Sequence, residues 1–122
     1  NAKLNNVSIE FIHADIFEYK SEKKYDVIVS NPPYVLESEK VLMSQNVLNF
    51  EPESALFVDD VNPVIYYEAI SLFSKNYLNK KGRLFLEINE NYQNQLLVLF
   101  KDNFSIEIIK DISGRYRFCV TA

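Results

Sequence analysis

The chain has 122 residues, 48% hydrophobic and 14% aromatic, enough for one domain or part of one with a real core. Thirteen basic against seventeen acidic residues leave a net charge of -4, which argues against a nucleic-acid partner, whose footprint is a basic face. No apolar run approaches the ~20 residues of a membrane span, and the single cysteine, Cys119, rules out an internal disulfide and fits a reducing, cytoplasmic compartment.

Asn1 to Asn6 predicts a helix tail running into a turn. Val7, Ile9 and Phe11 then alternate with Ser8, Glu10 and Ile12, the pattern of a short strand. At its end stands His13-Ala14-Asp15-Ile16-Phe17, where Asp15 reads as the N-cap of a short helix from Ile16 to Glu22. His13, the only histidine, has no cysteine or carboxylate at ligand spacing and reads as a strand-end residue without a metal. Lys20 to Lys24 is a charged loop.

The continuous β-branched run Val27-Ile28-Val29, inside Tyr25 to Ser30, predicts a strand buried on both faces of a parallel sheet. Asn31-Pro32-Pro33-Tyr34 ends it, because neither proline can donate to a sheet ladder and each biases the preceding residue toward extended geometry. A stiff polar turn at the carboxyl end of such a strand lies where open α/β sheets bind ligands. The chemistry this arrangement suits is methyl transfer to a planar nitrogen. The side-chain oxygen of Asn31 and the carbonyl of Pro32 can accept both N–H bonds of an NH2 group and aim the nitrogen at an electrophilic methyl. Tyr34 can lay its ring on the flat substrate group, with Pro33 beside it.

From Val35 to Asp60 the sequence predicts a long irregular connection, a feature that is usually functional, containing Phe50-Glu51-Pro52-Glu53-Ser54-Ala55-Leu56. Asn62-Pro63 is a helix start, and Tyr66, Ala69, Ile70, Phe73 and Tyr77 follow at helical spacing as a core stripe, with Lys80-Lys81-Gly82 as the stop. Arg83 to Ile88 reads as a strand ending in Glu87, a supporting residue on the ligand side. A second amphipathic helix spans about Asn91 to Lys101, and Ser105 to Ile112 with Tyr116 to Thr121 predicts a hairpin around Ser113-Gly114-Arg115. Only two glycines are present, too few and too far apart for a Gly-rich turn that wraps a nucleoside cofactor. Together with an opening inside a helix tail, this predicts a fragment: residues 1–122 as a partial catalytic domain.

The Asn31-Pro32-Pro33-Tyr34 tetrapeptide resembles the signature of S-adenosylmethionine-dependent amino-group methyltransferases. The order Asp15-Ile16-Phe17, Ile28 to Tyr34, Phe50 to Leu56, then Leu86-Glu87-Ile88, closed by Asp111 to Arg117, is similar to the HemK-type protein glutamine-N5 methyltransferases. That resemblance covers the whole chain but only the carboxyl-terminal part of the family's catalytic domain. It implies an α/β fold, the second half of a Rossmann-like class I domain with a closing antiparallel hairpin. It also implies S-adenosylmethionine as cofactor and a peptide chain release factor as protein substrate. Asn31 and Pro32 would be the catalytic acceptors, and Pro33, Tyr34, Phe50 and Glu51 the substrate-binding residues. Asp15, Phe17 and Asn31 would contact the cofactor, with Asp15 accepting from the adenine amine as the alternative to its capping role. Two other readings stand beside this one: an adenine or guanine amino-methyltransferase, and a non-catalytic remnant that self-associates through an exposed sheet edge or binds a partner.

Overall fold

A computed structural model describes residues 1–121. The β-branched run forms the middle of strand β1 (Tyr25–Ser30). After Tyr34, the stretch expected to be irregular contains short pieces: β2 (Val35–Leu36), a 3-10 turn over Glu37–Leu42, helices α1 (Gln45–Phe50) and α2 (Glu53–Leu56), and β3 (Phe57–Val58). β2 and β3 pair in parallel, Val35 with Phe57 and Leu36 with Val58, so the stretch closes on itself as a small lobe. Ser38 donates through both its amide and its hydroxyl to the carboxylate of Asp60, and Lys40 pairs with Glu53, which pins the lobe from within.

Helix α3 (Ile65–Tyr77), strand β4 (Leu78–Glu87), helix α4 (Gln93–Phe100) and strands β5 (Ile106–Lys110) and β6 (Tyr116–Thr121) complete the chain. The main sheet runs β1-β4-β6-β5, with β1 parallel to β4 and the last two strands an antiparallel hairpin, so the α/β reading with a closing hairpin holds. Gly114 turns that hairpin at φ 81, and the carboxylate of Asp111 accepts from the amides of Ser113 and Arg115 at 2.8 and 3.0 Å. Both long helices cover one sheet face: Tyr67 and Ile70 of α3 and Leu96 and Phe100 of α4 meet Leu84, Leu86, Ile88 and Cys119 in the buried core. Burial pushes the Cys119 thiol up to about 11, so the residue is inert packing, as its alternating strand suggested.

Several expectations are corrected. Val7 to Phe11 is extended but forms no strand, since a strand needs a neighbour to pair with, and Val7, Ile9 and Phe11 are exposed. Asn1 to Asn6 is a turn, and Ile16 to Glu22 makes one turn at its start rather than a helix. Strand β1 is not buried on both faces: it pairs only with β4, and Val27 and Val29 are 54% and 74% exposed on the side that no helix covers. α3 begins at Ile65, three residues after the expected Asn62 cap, although the Asn62 carbonyl still accepts from the Ile65 amide. Its buried stripe is Tyr67, Ile70, Ser71 and Ser74. Tyr66, Phe73 and Tyr77 turn sideways into an aromatic cluster with Phe17, Tyr19 and Tyr25.

α3 also stops at Tyr77, ahead of Lys80-Lys81-Gly82, because Leu78 is drawn into register with Tyr25. Asp26 alone then faces the four residues Asn79 to Gly82 before Val27 meets Arg83. This bulge brings two backbones together at Gly82, where a Cβ would lie 2.9 Å from the Asp26 carbonyl oxygen and 2.9 Å from Leu78 Cγ. Gly82→Ala therefore lowers stability by about 1–3 kcal/mol, the usual size for overpacking. A fall in the urea midpoint with unchanged slope is the expected result.

Candidate active site

The carboxyl end of β1 opens into a cleft of about 740 Å³. Asn31, Pro32 and Pro33 form one side, Asp15 another, and Ser54 and Ala55 of the lobe a third. Pro32 is buried and Asn31 exposed, so the stiff turn is anchored at its proline and presents the asparagine. Tyr66, Ile70 and Phe73 of α3 supply the apolar floor. His13 also lines the cleft, as do Ser54 and Ala55 of the Phe50 to Leu56 motif and Tyr66 of the helical stripe, none of which was expected among the site residues.

Asp15 caps no helix, since none follows it, and instead organises a single turn. Its carboxylate accepts from the Phe17 amide at 2.9 Å, and its carbonyl accepts from the amides of Glu18 and Tyr19 at 3.1 and 2.8 Å. That bond engages Oδ1, and Asp15 is at the same time one of the residues lining the cleft. Phe17 does not line this cleft but a neighbouring hollow of about 400 Å³ between this turn and α3, and its ring packs on the cleft residue Tyr66 at a centroid distance of 5.2 Å.

Tyr34, Phe50 and Glu51 do not line the cleft. Phe50 is 82% exposed at the end of α1 and Glu51 is exposed beside it, both on the outer surface of the lobe. Tyr34 is half-buried and packs against the core. Its hydroxyl donates to Glu87 Oε1 at 2.6 Å and accepts from Arg117 Nη1 at 3.3 Å, while its carbonyl accepts from Asn89 Nδ2 at 3.2 Å. Desolvation, and then the Glu87 carboxylate, raise the Tyr34 pKa above the ordinary tyrosine value, so the phenol stays protonated and able to donate at neutral pH. Glu87, read from the sequence as a supporting residue, is bonded to Tyr34. Asn89, at the carboxyl end of the strand that holds Glu87, and Arg117, in the closing hairpin motif, lie 55 and 83 residues from Tyr34, so no local pattern pairs them with it.

The comparisons with known proteins can be set against this geometry. Residues 1–54 match the family Methyltransferase small domain. The chain is 39% identical over 124 residues to a release factor glutamine methyltransferase of Bacteroides thetaiotaomicron, covering 95% of this chain and 45% of that protein. A protein of the same name from Flavobacterium psychrophilum is 39% identical over 120 residues, 96% of this chain and 42% of its own length. A bifunctional methyltransferase of Rickettsia felis is 37% identical over 111 residues, 89% of this chain and 21% of its own length. All three of these proteins are named as methyltransferases, and the chain is similar to each of them. The chain spans less than half the length of these relatives, and the expected resemblance to glutamine methyltransferases holds along nearly all of it. Among the described residues no helix is long and apolar enough to cross a membrane, and no cluster of histidine, cysteine and carboxylate side chains could hold a metal ion.

Arg117 reaches Tyr34 from the hairpin whose turn Asp111 organises, and Arg117 Nε lies 3.6 Å from Asp111 Oδ2. The backbone amide of Arg115, then that of Ser113 and the guanidinium of Arg117, hold the Asp111 carboxyl below its ordinary 3.8. A carboxyl depressed in the folded state contributes stability that is present above its ordinary value and lost as pH falls through the folded value. The urea midpoint of Asp111→Asn should therefore lie below that of the unmodified chain at pH 7, and the gap should close as the pH falls through the lowered value of the Asp111 carboxyl.

Proposed function

We propose that this protein transfers a methyl group from S-adenosylmethionine to the side-chain amide nitrogen of a glutamine in a peptide chain release factor, in the cytoplasm. The observation that carries the reading is that one cleft brings Asn31 and Pro32 together with Asp15 and an apolar floor. The names of the Bacteroides and Flavobacterium relatives support the substrate. A net charge of -4 favours a protein substrate over a nucleic acid.

In this reading residues 1–122 form the carboxyl-terminal part of a catalytic domain. Asn31 Oδ1 and the Pro32 carbonyl each accept one N–H of the glutamine amide. Drawing on both protons disfavours delocalisation of the nitrogen lone pair into the carbonyl and holds the nitrogen at one place and angle. Pro33 walls the amide, and the exposed pair Phe50 and Glu51 meets the surface of the incoming protein. When bound, S-adenosylmethionine supplies the electrophilic methyl group. In this reading its adenine end lies against Asp15, which accepts from the exocyclic amine, and against the apolar floor of Tyr66, Ile70 and Phe73 of α3, with Phe17 in the turn that follows Asp15. No residue here is assigned to the ribose or the amino-acid end. The amide proton leaves to water after methylation, and no general base is assigned.

Asn31→Ala in the complete protein should lower kcat by about 10²–10³, the size seen when one preorganised polar contact to the reacting group is lost. The thermal midpoint should be unchanged, since Asn31 is exposed. More than half of wild-type turnover at saturating substrate would overturn the assignment.

The isolated 122-residue chain should self-associate through β1, whose outer edge pairs with no other strand and whose Val27 and Val29 add apolar surface. Light scattering at micromolar concentration should give a mass above 14.3 kDa, and a monomer of that mass would refute the expectation.

A further inference from the structure

Resting on the reading of Asn31 and Pro32 as amide acceptors, we propose that Tyr34, Glu87, Asn89 and Arg117 are positioning residues that clamp the far end of the acceptor turn. Tyr34 then acts through its hydroxyl and its carbonyl, not as a ring laid on substrate.

Two acceptors must match two N–H bonds of one amide, and a misplacement of about 1 Å can cost about 10²-fold in rate. The prolines stiffen the turn from within. Its near end is held by the sheet as far as Ser30, which lies opposite Leu86 in β4. Beyond Ser30 the ladder has ended, and Pro32 and Pro33, having no N–H, can donate nothing to it. Tyr34 follows them, and its hydroxyl and its carbonyl are both tied down.

The hydroxyl donates to Glu87, the last residue of β4 and the neighbour of the Leu86 that holds Ser30. Clamp and turn therefore ride on the same pair of strands. Arg117 donates into that hydroxyl from β6, which directs its proton toward Glu87. Asn89 donates to the Tyr34 carbonyl, and Asn89 is itself fixed: its amide donates to the Tyr67 hydroxyl at 3.2 Å and its side chain accepts from the Asn91 amide at 3.0 Å. None of these four residues lines the cleft that holds Asp15 and Pro32, so their effect on chemistry has to pass through the turn.

The test uses the complete protein with release factor and S-adenosylmethionine, in four variants: Asn31→Ala, Tyr34→Phe, Glu87→Gln and the Tyr34→Phe/Glu87→Gln double. Tyr34→Phe keeps the ring that packs on the core and removes only the hydroxyl, so the fold survives. Tyr34→Phe and Glu87→Gln should each lower kcat about tenfold and leave KM for both substrates within about twofold, with the thermal midpoint lowered by several degrees and the unfolding transition still cooperative. The double variant should be no slower than the slower single variant, because both remove one shared contact. Amide hydrogen exchange of a peptide covering residues 34–36 should quicken in all three, and not in Asn31→Ala. Near-wild-type kcat in Tyr34→Phe beside an inactive Asn31→Ala overturns the clamp while sparing the acceptor reading, as do losses that multiply in the double variant. Fast exchange in the clamp variants beside a fully active Asn31→Ala overturns the acceptor reading, and with it the proposal that the clamp serves chemistry.

Discussion

The parallel pairing of β1 with β4 is the constraint on which the rest of the structure depends. A parallel pair ends both strands at the same side of the sheet, so one register places the turn after Ser30 next to Glu87, more than fifty residues later. That single alignment brings together a backbone turn, a carboxylate and, through β6, a guanidinium. It also sets the helices. Leu84 and Leu86 face α3 and α4 because they alternate with Arg83 and Phe85 along β4, and the core forms on that side alone.

The polar groups around Tyr34 are held in a setting where each has a partner. A hydroxyl donating to a carboxylate at 2.6 Å is a charge-assisted bond, worth about 1.5–3 kcal/mol, and leaving either group alone at a half-buried site would cost a similar amount. Such a network stabilises less than an apolar contact of equal volume would. What it adds is direction: a packed leucine in place of Tyr34 would tolerate sliding, whereas three directional bonds do not.

Two surfaces of the domain differ in kind. On the helix side the aromatic rings of Phe73, Tyr77, Tyr19 and Tyr25 stack in a continuous cluster that fastens the turn after Asp15 to α3, and this cluster keeps Asp15 near the cleft without a strand to hold it. On the opposite side Val27, Val29, Ile109 and Phe118 are exposed together, lining or flanking a shallow apolar groove with Phe85. An apolar sheet face without a covering layer is uncommon in a monomer.

The sequence alone determined the elements whose signal is local. The run Val27-Ile28-Val29 and the two prolines after it specify a strand and its end, because β-branching and a missing N–H act within a few residues. Gly114 with Asp111 specifies the hairpin turn, because φ and an Asx bond are local too. The acceptor pair Asn31-Pro32 and the resemblance carried by the flanking motifs were legible for the same reason. Tertiary structure decided what depends on neighbours. Val7 to Phe11 has the alternation of a strand and forms none, since pairing requires a partner that periodicity cannot supply. Tyr66, Phe73 and Tyr77 have helical spacing toward a core, yet Tyr67 and Ser74 fill it, because the position of the sheet fixes which stripe points inward. Tyr34 reads as a substrate wall by its place in the motif, and its hydroxyl instead meets Glu87 and Arg117, whose nearness comes from strand order and register, quantities that no window of sequence contains.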